Sequence, residues 1–558
     1  MRKERKSRAF NPRYISPKQG ILAGFEHPFE RELDQTNRWV VLSKLIPWDD
    51  ICNMYLKQTG NKAAGRTPVN PRIIFGSLII KYICNLDDRE TVEQISENIY
   101  MQYFLGYPSF TSDKPFDASL FVSIRKRLGL DAINAINEMI VKLKTHFEEK
   151  ASGKEVSSAS VASGKEAVTS KKDTEPKTDS STLKEAGEPT GDCKLKEQAD
   201  STVVPTPPEV HKGSILFDAT VCPQDIAYPT DLDLLSEARE ISERLIDSIY
   251  DKHLHGEKPR TYRQVARKEY LHTAQKKKKS KKQIRNAVRK QLGYLARNIR
   301  NIHRLLDSYE TFPLDKKDRK FFYVIQTLYE QQLEMFKTRT HSVEHRIVSI
   351  HQPHVRPIVR GKASAQVEFG AKIHVSLING ISFLDELSWD SFNEGSHMED
   401  YVEKYRSRFG FYPREVMADM IYCTRDNRKM LKGKGSGILL KAKPLGRPSS
   451  ATALSIHVSP GERNPIEGKF GQAKTGYGLN RIKARLKDTS ESWIAGIFLV
   501  LNLVKLAEAV ASRTIVNWWC YFSAQVSELT DTTIIAWIPN LMRNPASRFC
   551  RTFHLDFL

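Results

Sequence analysis

The stretch from residue 151 to residue 210 is the feature that most constrains how this chain can fold. It is rich in Ser, Thr, Lys, Glu and Pro, and it contains no aromatic residue. Such a composition cannot bury enough apolar surface to offset the entropy lost when a chain becomes ordered. We therefore predict a flexible low-complexity linker over 151–210, between an N-terminal domain at 1–150 and a second domain at 211–512. Residues 513–558 are predicted to form a C-terminal tail.

The charge balance of the 558-residue chain points to a polyanionic partner. Lys and Arg total 87 and Asp and Glu total 66, which gives a net charge of +21 and a pI near 9.4. A surplus of this size most often accompanies nucleic-acid binding. A soluble basic protein without such a partner is the alternative, but the basic residues are clustered, and clustering favours DNA.

Cysteine usage and apolar runs indicate a cytoplasmic protein. The 7 cysteines are scattered, and no pair has the close spacing of a zinc site. This set fits a reducing cytosol, so we expect a cytoplasmic, nucleoid-associated protein. The longest apolar run begins at Trp493. It is shorter than the roughly 18 apolar residues that a membrane span needs, so it predicts a buried helix over 493–511 and no membrane partner.

Residues 40–150 have the pattern of several short helices. Apolar residues recur at steps of three and four. Asn70 before Pro71 is a typical start, an N-cap followed by Pro at the first helical position. Short helices with tight turns are compatible with a helix-turn-helix module that binds DNA ends. A helical dimerisation domain is equally compatible with this pattern.

Strand-like runs begin after the predicted linker. Residues 215–217 form a short apolar run that ends on Asp218. Two later runs are separated by Asn379 and Gly380, which is the strongest short-range signal for a β-hairpin. A further run, EVMADMIY, predicts a strand that carries Asp419.

A long and mostly helical insertion is predicted at about 235–345, between Asp218 and the hairpin. Residues 276–304 contain twelve Lys and Arg and no acid, and apolar residues recur there at helical spacing. This predicts an amphipathic helix with a basic face, either solvated or covered by DNA phosphates. The cations favoured as DNA contacts are Lys276, Lys277, Lys278, Lys279, Arg285 and Arg289.

Three acids are candidates for chemistry: Asp218, Asp419 and Glu467. Each Asp lies in or at the end of a predicted buried strand, where a charge is costly unless it is paired or bound to metal. Each acid also has a plain structural interpretation. Asp218 could form a turn, and Asp419 could be an exposed edge residue with Asp426 as the real acid of its segment. Glu467 could complete a capping box that begins at Asn464.

Long collinear stretches resemble the DDE transposases of bacterial insertion sequences with an IS5-like N-terminal helical domain. The resemblance covers residues 60–145 and 213–510. It is carried in the second part by FDATVCPQDIAYPTDLDLLSEAR, RIVSIHQPHVRPIVRGKASAQVEFGAKIHVS, YPREVMADMIYCTRDNR and RNPIEGKFGQAKTGYGLNRIKARL. It implies an α/β fold, a ribonuclease-H-like mixed sheet flanked by helices. It also assigns the three acidic positions of the family to Asp218, Asp419 and Glu467.

The family's last segment often carries Tyr, Arg, Glu and Lys at fixed steps. Arg463, Glu467 and Lys474 keep the last three, and Pro460 stands at the Tyr position, so no role can be transferred to a Tyr there. The resemblance implies that Arg463 and Lys474 flank the Glu and meet DNA phosphates. The alternative for both is a surface cation near a helix end.

The implied activity is two-metal phosphoryl transfer at DNA ends. The three carboxylates would hold two Mg²⁺ ions, which Mn²⁺ could replace, with Asp218 bridging both. The implied partners are the terminal inverted repeats, target DNA and a second copy of the chain in a homodimer on DNA. Two alternatives stay open: a structure-selective DNA nuclease on the same fold, and a non-catalytic DNA-binding protein derived from a transposase.

Overall fold

The computed structural model describes residues 33–59, 69–151, 211–359, 367–435, 437–442 and 460–507. The predicted linker, apart from residue 151, and the predicted tail at 513–558 lie outside the described residues.

Six helices form the described part that precedes the predicted linker. They are α1 (Arg38–Leu45), α2 (Trp48–Thr59), α3 (Pro71–Ile83), α4 (Asp88–Glu97), α5 (Ile99–Leu105) and α6 (Leu120–Ala151). Side chains accept hydrogen bonds from free N–H groups at the starts of α1, α3, α4 and α5. Asn70 accepts from the N–H of Arg72, as predicted, and Asp87 and Glu90 form a reciprocal capping box. Gly129 has a φ of 58° and interrupts α6 with a kink.

The described residues of the second part form a six-stranded mixed sheet. Its strands are β1 (Ser214–Pro223), β2 (Arg356–Val359), β3 (Val367–Ile378), β4 (Ile381–Ser388), β5 (Glu415–Met417) and β6 (Leu439–Lys441). The order is β2-β3-β1-β5-β6, and β4 pairs with the later part of β3. The central strand β1 is antiparallel to β3 and parallel to β5, and β6 is parallel to β5. The predicted α/β class is therefore confirmed.

The predicted hairpin at Asn379 and Gly380 is confirmed. These residues have φ angles of 50° and 79°, and Ile378 pairs with Ile381 across the turn. Two consecutive positive φ angles are what a two-residue hairpin turn of the common mirror-image type requires.

The apolar run predicts a first strand that ends at Asp218, whereas β1 continues to Pro223. Residues 216–223 pair without interruption with β3. The partner strand, rather than local hydrophobicity, sustains β1 beyond the apolar run, because strand formation depends strongly on cross-strand context. Asp218 consequently lies inside the central strand.

Five helices lie between β1 and β2. They span residues 231–338, close to the bounds of about 235–345 predicted for the insertion. They are α7 (Asp231–Ile249), α8 (Lys252–His255), α9 (Arg263–Ala274), α10 (Lys281–Leu306) and α11 (Lys316–Thr338). Helices α7, α10 and α11 supply most of a separate hydrophobic core, in which Leu235, Leu295 and Ile325 are fully buried. This bundle therefore has its own packing centre away from the sheet.

Helices cover both faces of the sheet. The remaining ones are α12 (Met398–Phe409), α13 (Arg425–Gly433), α14 (Pro460–Gly476) and α15 (Lys487–Ala507). Successive residues of β1 point to opposite faces. Ile215 and Phe217 pack in one core with Tyr401 of α12, and Leu216 packs in the other core with α14, α15 and the N-terminal helices.

The N-terminal helices and the sheet share this second core, although the predicted linker separates them in sequence. Tyr82 of α3 packs edge-on against Trp493 of α15, at 5.7 Å between ring centroids. The Asn502 amide donates to the side-chain oxygen of Asn137 and to the Ser382 carbonyl. By length and composition α15 could cross a membrane, but 78% of its most apolar window is buried in the protein. It is a core helix, as predicted.

Candidate active site

Asp218 lies on the central strand with its carboxyl mostly out of water. Its side chain is 22% exposed, and one carboxyl oxygen accepts from the N–H of Ala219 at 2.8 Å. The pKa of Asp218 is raised to about 6, chiefly by burial and also by the charges of Asp419 and Glu394, against the lowering effects of the Ala219 N–H and Arg463. Such a carboxyl is stabilised in its charged form by any additional cation.

Asp419 lies beside Asp218 because of the strand register. Leu216 of β1 pairs with Met417 of β5 in a parallel ladder, and each Asp follows two residues later. The run EVMADMIY predicts a strand that carries Asp419, but β5 ends at Met417. The Asp419 carboxyl instead accepts from the N–H of Met420 at 2.7 Å and caps a 3-10 turn over Met420–Tyr422. An Asp that bonds to nearby backbone favours such a turn over strand continuation.

Arg463 joins the two aspartates. Its Nη2 lies 3.8 Å from a carboxyl oxygen of Asp218, and its Nη1 lies 3.2 Å from one of Asp419. Its Nε is buried without a hydrogen-bond partner among the described residues. The resemblance implies a DNA phosphate as the partner of Arg463, whereas in this structure the guanidinium faces the two carboxylates. The site therefore presents two acids within reach of a single cation.

Glu467 is exposed and lies four residues after Arg463 on α14, on the same side of the helix. The capping-box interpretation is wrong, because α14 begins at Pro460 and both Asn464 and Glu467 lie inside it. Among the described residues, no group of three or more His, Cys, Asp or Glu side chains is placed to hold a metal ion. The structure thus brings Asp218 and Asp419 together and leaves Glu467 on the adjoining helix face.

Lys474 is partly buried and lies eleven residues after Arg463, about three helical turns further along α14. Arg463, Glu467 and Lys474 consequently share one side of this helix. Ile466 and Phe470 of the same helix are buried and pack in the core. The steps of four and seven residues between these three side chains therefore place them on the same side of α14.

Lys372 and Glu394 belong to the same neighbourhood and were not among the predicted residues. Lys372, on β3 opposite Val221, forms an ion pair with Glu394 and donates to the Phe392 carbonyl at 2.7 Å. A lysine inside the mostly apolar run of β3 was the available signal. Glu394 carried no signal, because it reaches the site through the fold of the 3-10 helix Glu394–His397.

The basic segment of the insertion is helical over Lys281–Leu306, so the predicted helix start at residue 276 is wrong. Ser280 and Gln283 form a capping box, because a Ser at the N-cap accepts from the backbone three residues later. The four lysines before it, Lys276, Lys277, Lys278 and Lys279, lie in the loop between α9 and α10.

The exposed side of α10 carries cations in different settings. Arg285 lies over the Phe336 ring at 4.1 Å, and Arg289 donates to Asn286 at 3.0 Å. Lys290 pairs with Glu269 of α9 at 2.6 Å. The segment has no acid of its own, but a neighbouring helix neutralises part of its charge.

Two family models match the chain. The one described as transposase domain (DUF772) matches residues 27–127, and the one described as transposase DDE domain matches residues 416–504. An uncharacterized protein, ORF8 in the nfe locus of Rhizobium meliloti, is 33% identical over 116 residues, 20% of this chain and 54% of that protein. The chain thus spans about half the length of that relative. No solved structure matches the chain significantly.

The chain is therefore a mixed α/β protein with an N-terminal transposase domain and a C-terminal transposase DDE domain. Both matches are consistent with a DDE transposase of insertion sequences, in agreement with the resemblance. The second match includes Asp419, Arg463, Glu467 and Lys474, whereas Asp218 lies before it.

Proposed function

We propose that this transposase cuts the ends of an insertion sequence and joins them to target DNA in a Mg²⁺-dependent reaction. The observation that carries the proposal is that the parallel register of β1 and β5 brings Asp218, on β1, beside Asp419, two residues past the end of β5, with Arg463 between them. The strand order, with antiparallel and parallel partners on the two sides of β1, supports a ribonuclease-H-like catalytic domain at 211–512.

The donor chemistry of the site suits Mg²⁺, and Mn²⁺ could replace it. Carboxylate oxygens are the hard ligands that Mg²⁺ takes from proteins, alongside waters and substrate phosphate. Asp218 and Asp419, together with Glu467 of α14, would hold the metal. Bound metal would lower the pKa of an attacking water or 3′-OH and stabilise the leaving oxygen.

Arg463 would act as a cation that the site can release. Its contacts with the carboxylates are long, and its Nε has no hydrogen-bond partner among the described residues. When other positive charge neutralises Asp218 and Asp419, the guanidinium becomes free to bind a phosphate through two N–H groups. Lys474, on the same side of α14, would contact the phosphate backbone further along the DNA.

The remaining surfaces would bind DNA and a second copy of the chain. The lysines of the α9–α10 loop and the exposed cations of α10 would contact phosphates without reading sequence. The N-terminal helices would recognise the terminal inverted repeats. We further propose that the protein acts as a homodimer on DNA in the cytoplasm, associated with the nucleoid.

An assay of end cleavage and joining tests this function. The wild-type protein is incubated with Mg²⁺, linear DNA with matched inverted ends and a supercoiled target plasmid. We expect cleaved ends and joined products. Nicks without joining would indicate a structure-selective nuclease, and binding without cleavage would indicate a non-catalytic DNA-binding protein.

A further inference from the structure

The 3-10 turn after Asp419 presents two large apolar side chains to solvent. Met420 is 46% exposed and Ile421 is 41% exposed. A single exposed apolar residue is common on protein surfaces and needs no explanation. Two in succession, directly beside the acidic pair Asp218 and Asp419, are unusual because the proposed partner of this site is DNA, a polyanion.

The backbone of the turn is anchored to the protein by packing and hydrogen bonds. Tyr422, the last residue of the turn, is fully buried and packs near Phe217 of β1, at 6.0 Å between ring centroids. The Asn427 amide donates to the carbonyls of Tyr422 at 2.9 Å and Gly395 at 2.7 Å. A Cβ at Gly395 would lie only 2.6 Å from the Ile421 carbonyl oxygen, so the two turns pack backbone to backbone.

Positive charge lies near Met420 and Ile421. Helix α13 starts three residues after Tyr422 and carries four cations and one acid. Those cations are Arg425, Arg428, Lys429 and Lys432. Arg463 contacts the preceding residue Asp419 at 3.2 Å. An apolar tip framed by phosphate-binding groups fits nucleic acid, whose backbone takes the charges while its bases take the apolar contact.

We propose that Met420 and Ile421 form a wedge that inserts beside the scissile phosphate and unstacks the base pairs at the DNA end. Proteins that unstack DNA use Met and Ile among the apolar side chains that enter between base steps. Opening the end gives the acidic pair access to one strand. The wedge rests on the proposed function, because that function supplies its DNA substrate. Unstacking of base pairs breaks no covalent bond, so it can be measured without cleavage.

The test uses the full-length protein and a Met420→Ala, Ile421→Ala double variant. Leu439→Ala on β6 is the matched control, since Leu439 is similarly exposed at 48%. End DNA carries 2-aminopurine beside the scissile phosphate, and fluorescence is read on binding without metal. We expect a rise with the wild type and the control, and at least about a tenfold smaller rise with the double variant.

Cleavage in Mg²⁺ is then compared on paired ends and on ends with two mismatched pairs at the same place. The double variant should cut paired ends at least about tenfold more slowly and recover near wild-type rates on mismatched ends, because the wedge no longer has to open them. Equal loss on both substrates overturns the wedge, and so does an unchanged rate on paired ends.

The remaining outcomes separate the wedge from the proposed function. A wild type that raises fluorescence but never cleaves retains the wedge and removes the proposed activity. A wild type that gives no fluorescence rise with end DNA overturns the wedge, whether or not it cleaves. A double variant that loses self-association in sedimentation also overturns the wedge, since Met420 and Ile421 would then form a contact between copies of the chain.

Discussion

Arg239 and Arg463 each lie between two carboxylates, and the surroundings of these two arginines differ sharply. Arg239 in the insertion is 1% exposed and contacts Glu243 at 2.6 Å, Glu240 at 3.0 Å and Gln291 at 3.1 Å. Arg463 beside the sheet is 21% exposed, has contacts of 3.2 and 3.8 Å, and leaves its Nε without a hydrogen-bond partner among the described residues.

The difference teaches how to distinguish a structural ion cluster from a functional one. A buried charge is tolerated when hydrogen bonds satisfy it completely, as at Arg239. The Arg463 guanidinium, by contrast, lacks part of its hydrogen bonding and faces Asp218, whose pKa is raised to about 6. Such a contact contributes little to the stability of the fold. Poised ionisable groups of this kind concentrate at functional sites. The arrangement at Arg463 fits a cation that gives way to metal and DNA.

Replacing Asp218 should have the largest effect on activity. Asp218→Asn keeps the side-chain shape and removes a charge that we propose binds metal, so cleavage should fall at least about a thousandfold. Binding of end DNA should be unchanged or tighter, because repulsion of phosphate is reduced. Cleavage rate and DNA affinity are measured separately, with Asp426→Asn on α13 as the control that retains activity. Asp419→Asn and Glu467→Gln should behave like Asp218→Asn, and rapid cleavage by any of the three would remove that residue from the site.

The two arginines should differ in their effect on stability. Arg239→Met leaves Glu243 buried without its partner and should lower the free energy of unfolding by about 3–5 kcal/mol. Arg463→Met should change it by less than about 1 kcal/mol, because its contacts are loose and partly exposed. Urea unfolding of both variants measures this. Equal losses of stability would abolish the distinction between the two clusters.

The raised pKa of Asp218 predicts how metal affinity depends on pH. Metal competes with a proton for this carboxyl, so affinity for Mn²⁺ should be constant above about pH 6 and fall about tenfold per pH unit below it. Arg463 lowers the pKa of Asp218, so Arg463→Met should move the midpoint to higher pH. Titrations from about one pH unit below the transition to about two units above it test this, and a flat profile would contradict it.

Neutralising the loop before α10 should have the mildest effect. Replacing Lys276, Lys277, Lys278 and Lys279 with Ala should weaken terminal-repeat and random DNA about equally. The slope of log affinity against log salt should fall by roughly one unit per lost phosphate contact. Lys290→Ala is the matched comparison and should do less, because Glu269 already neutralises Lys290. A loss confined to terminal-repeat DNA would show that these lysines read sequence.

Local signals predicted the parts of the fold that short stretches of chain determine. Asn379 and Gly380 specify a turn by their own backbone preferences, and Asn70 specifies a helix start. The extension of β1 to Pro223 and the short strand β6 depend on partners distant in sequence, so no local pattern indicated them.

The candidate site likewise contains residues that the sequence indicated and residues whose positions depend on the tertiary fold. The resemblance singled out Asp218 and Asp419, and the strand register shows why they meet. The position of Arg463 between them depends on how α14 packs through Ile466 and Phe470, which spacing along the chain does not determine. Glu394 likewise reaches Asp218 through tertiary structure alone.

Direct titration of Mn²⁺ into the DNA-free protein, followed by electron paramagnetic resonance, tests the central claim most directly. The wild type should bind Mn²⁺ at the acidic pair, and Asp218→Asn should lose that binding. Arg463→Met should bind more tightly than the wild type, because no guanidinium then competes for the two carboxylates. Equal Mn²⁺ binding by the wild type and Asp218→Asn would contradict the account.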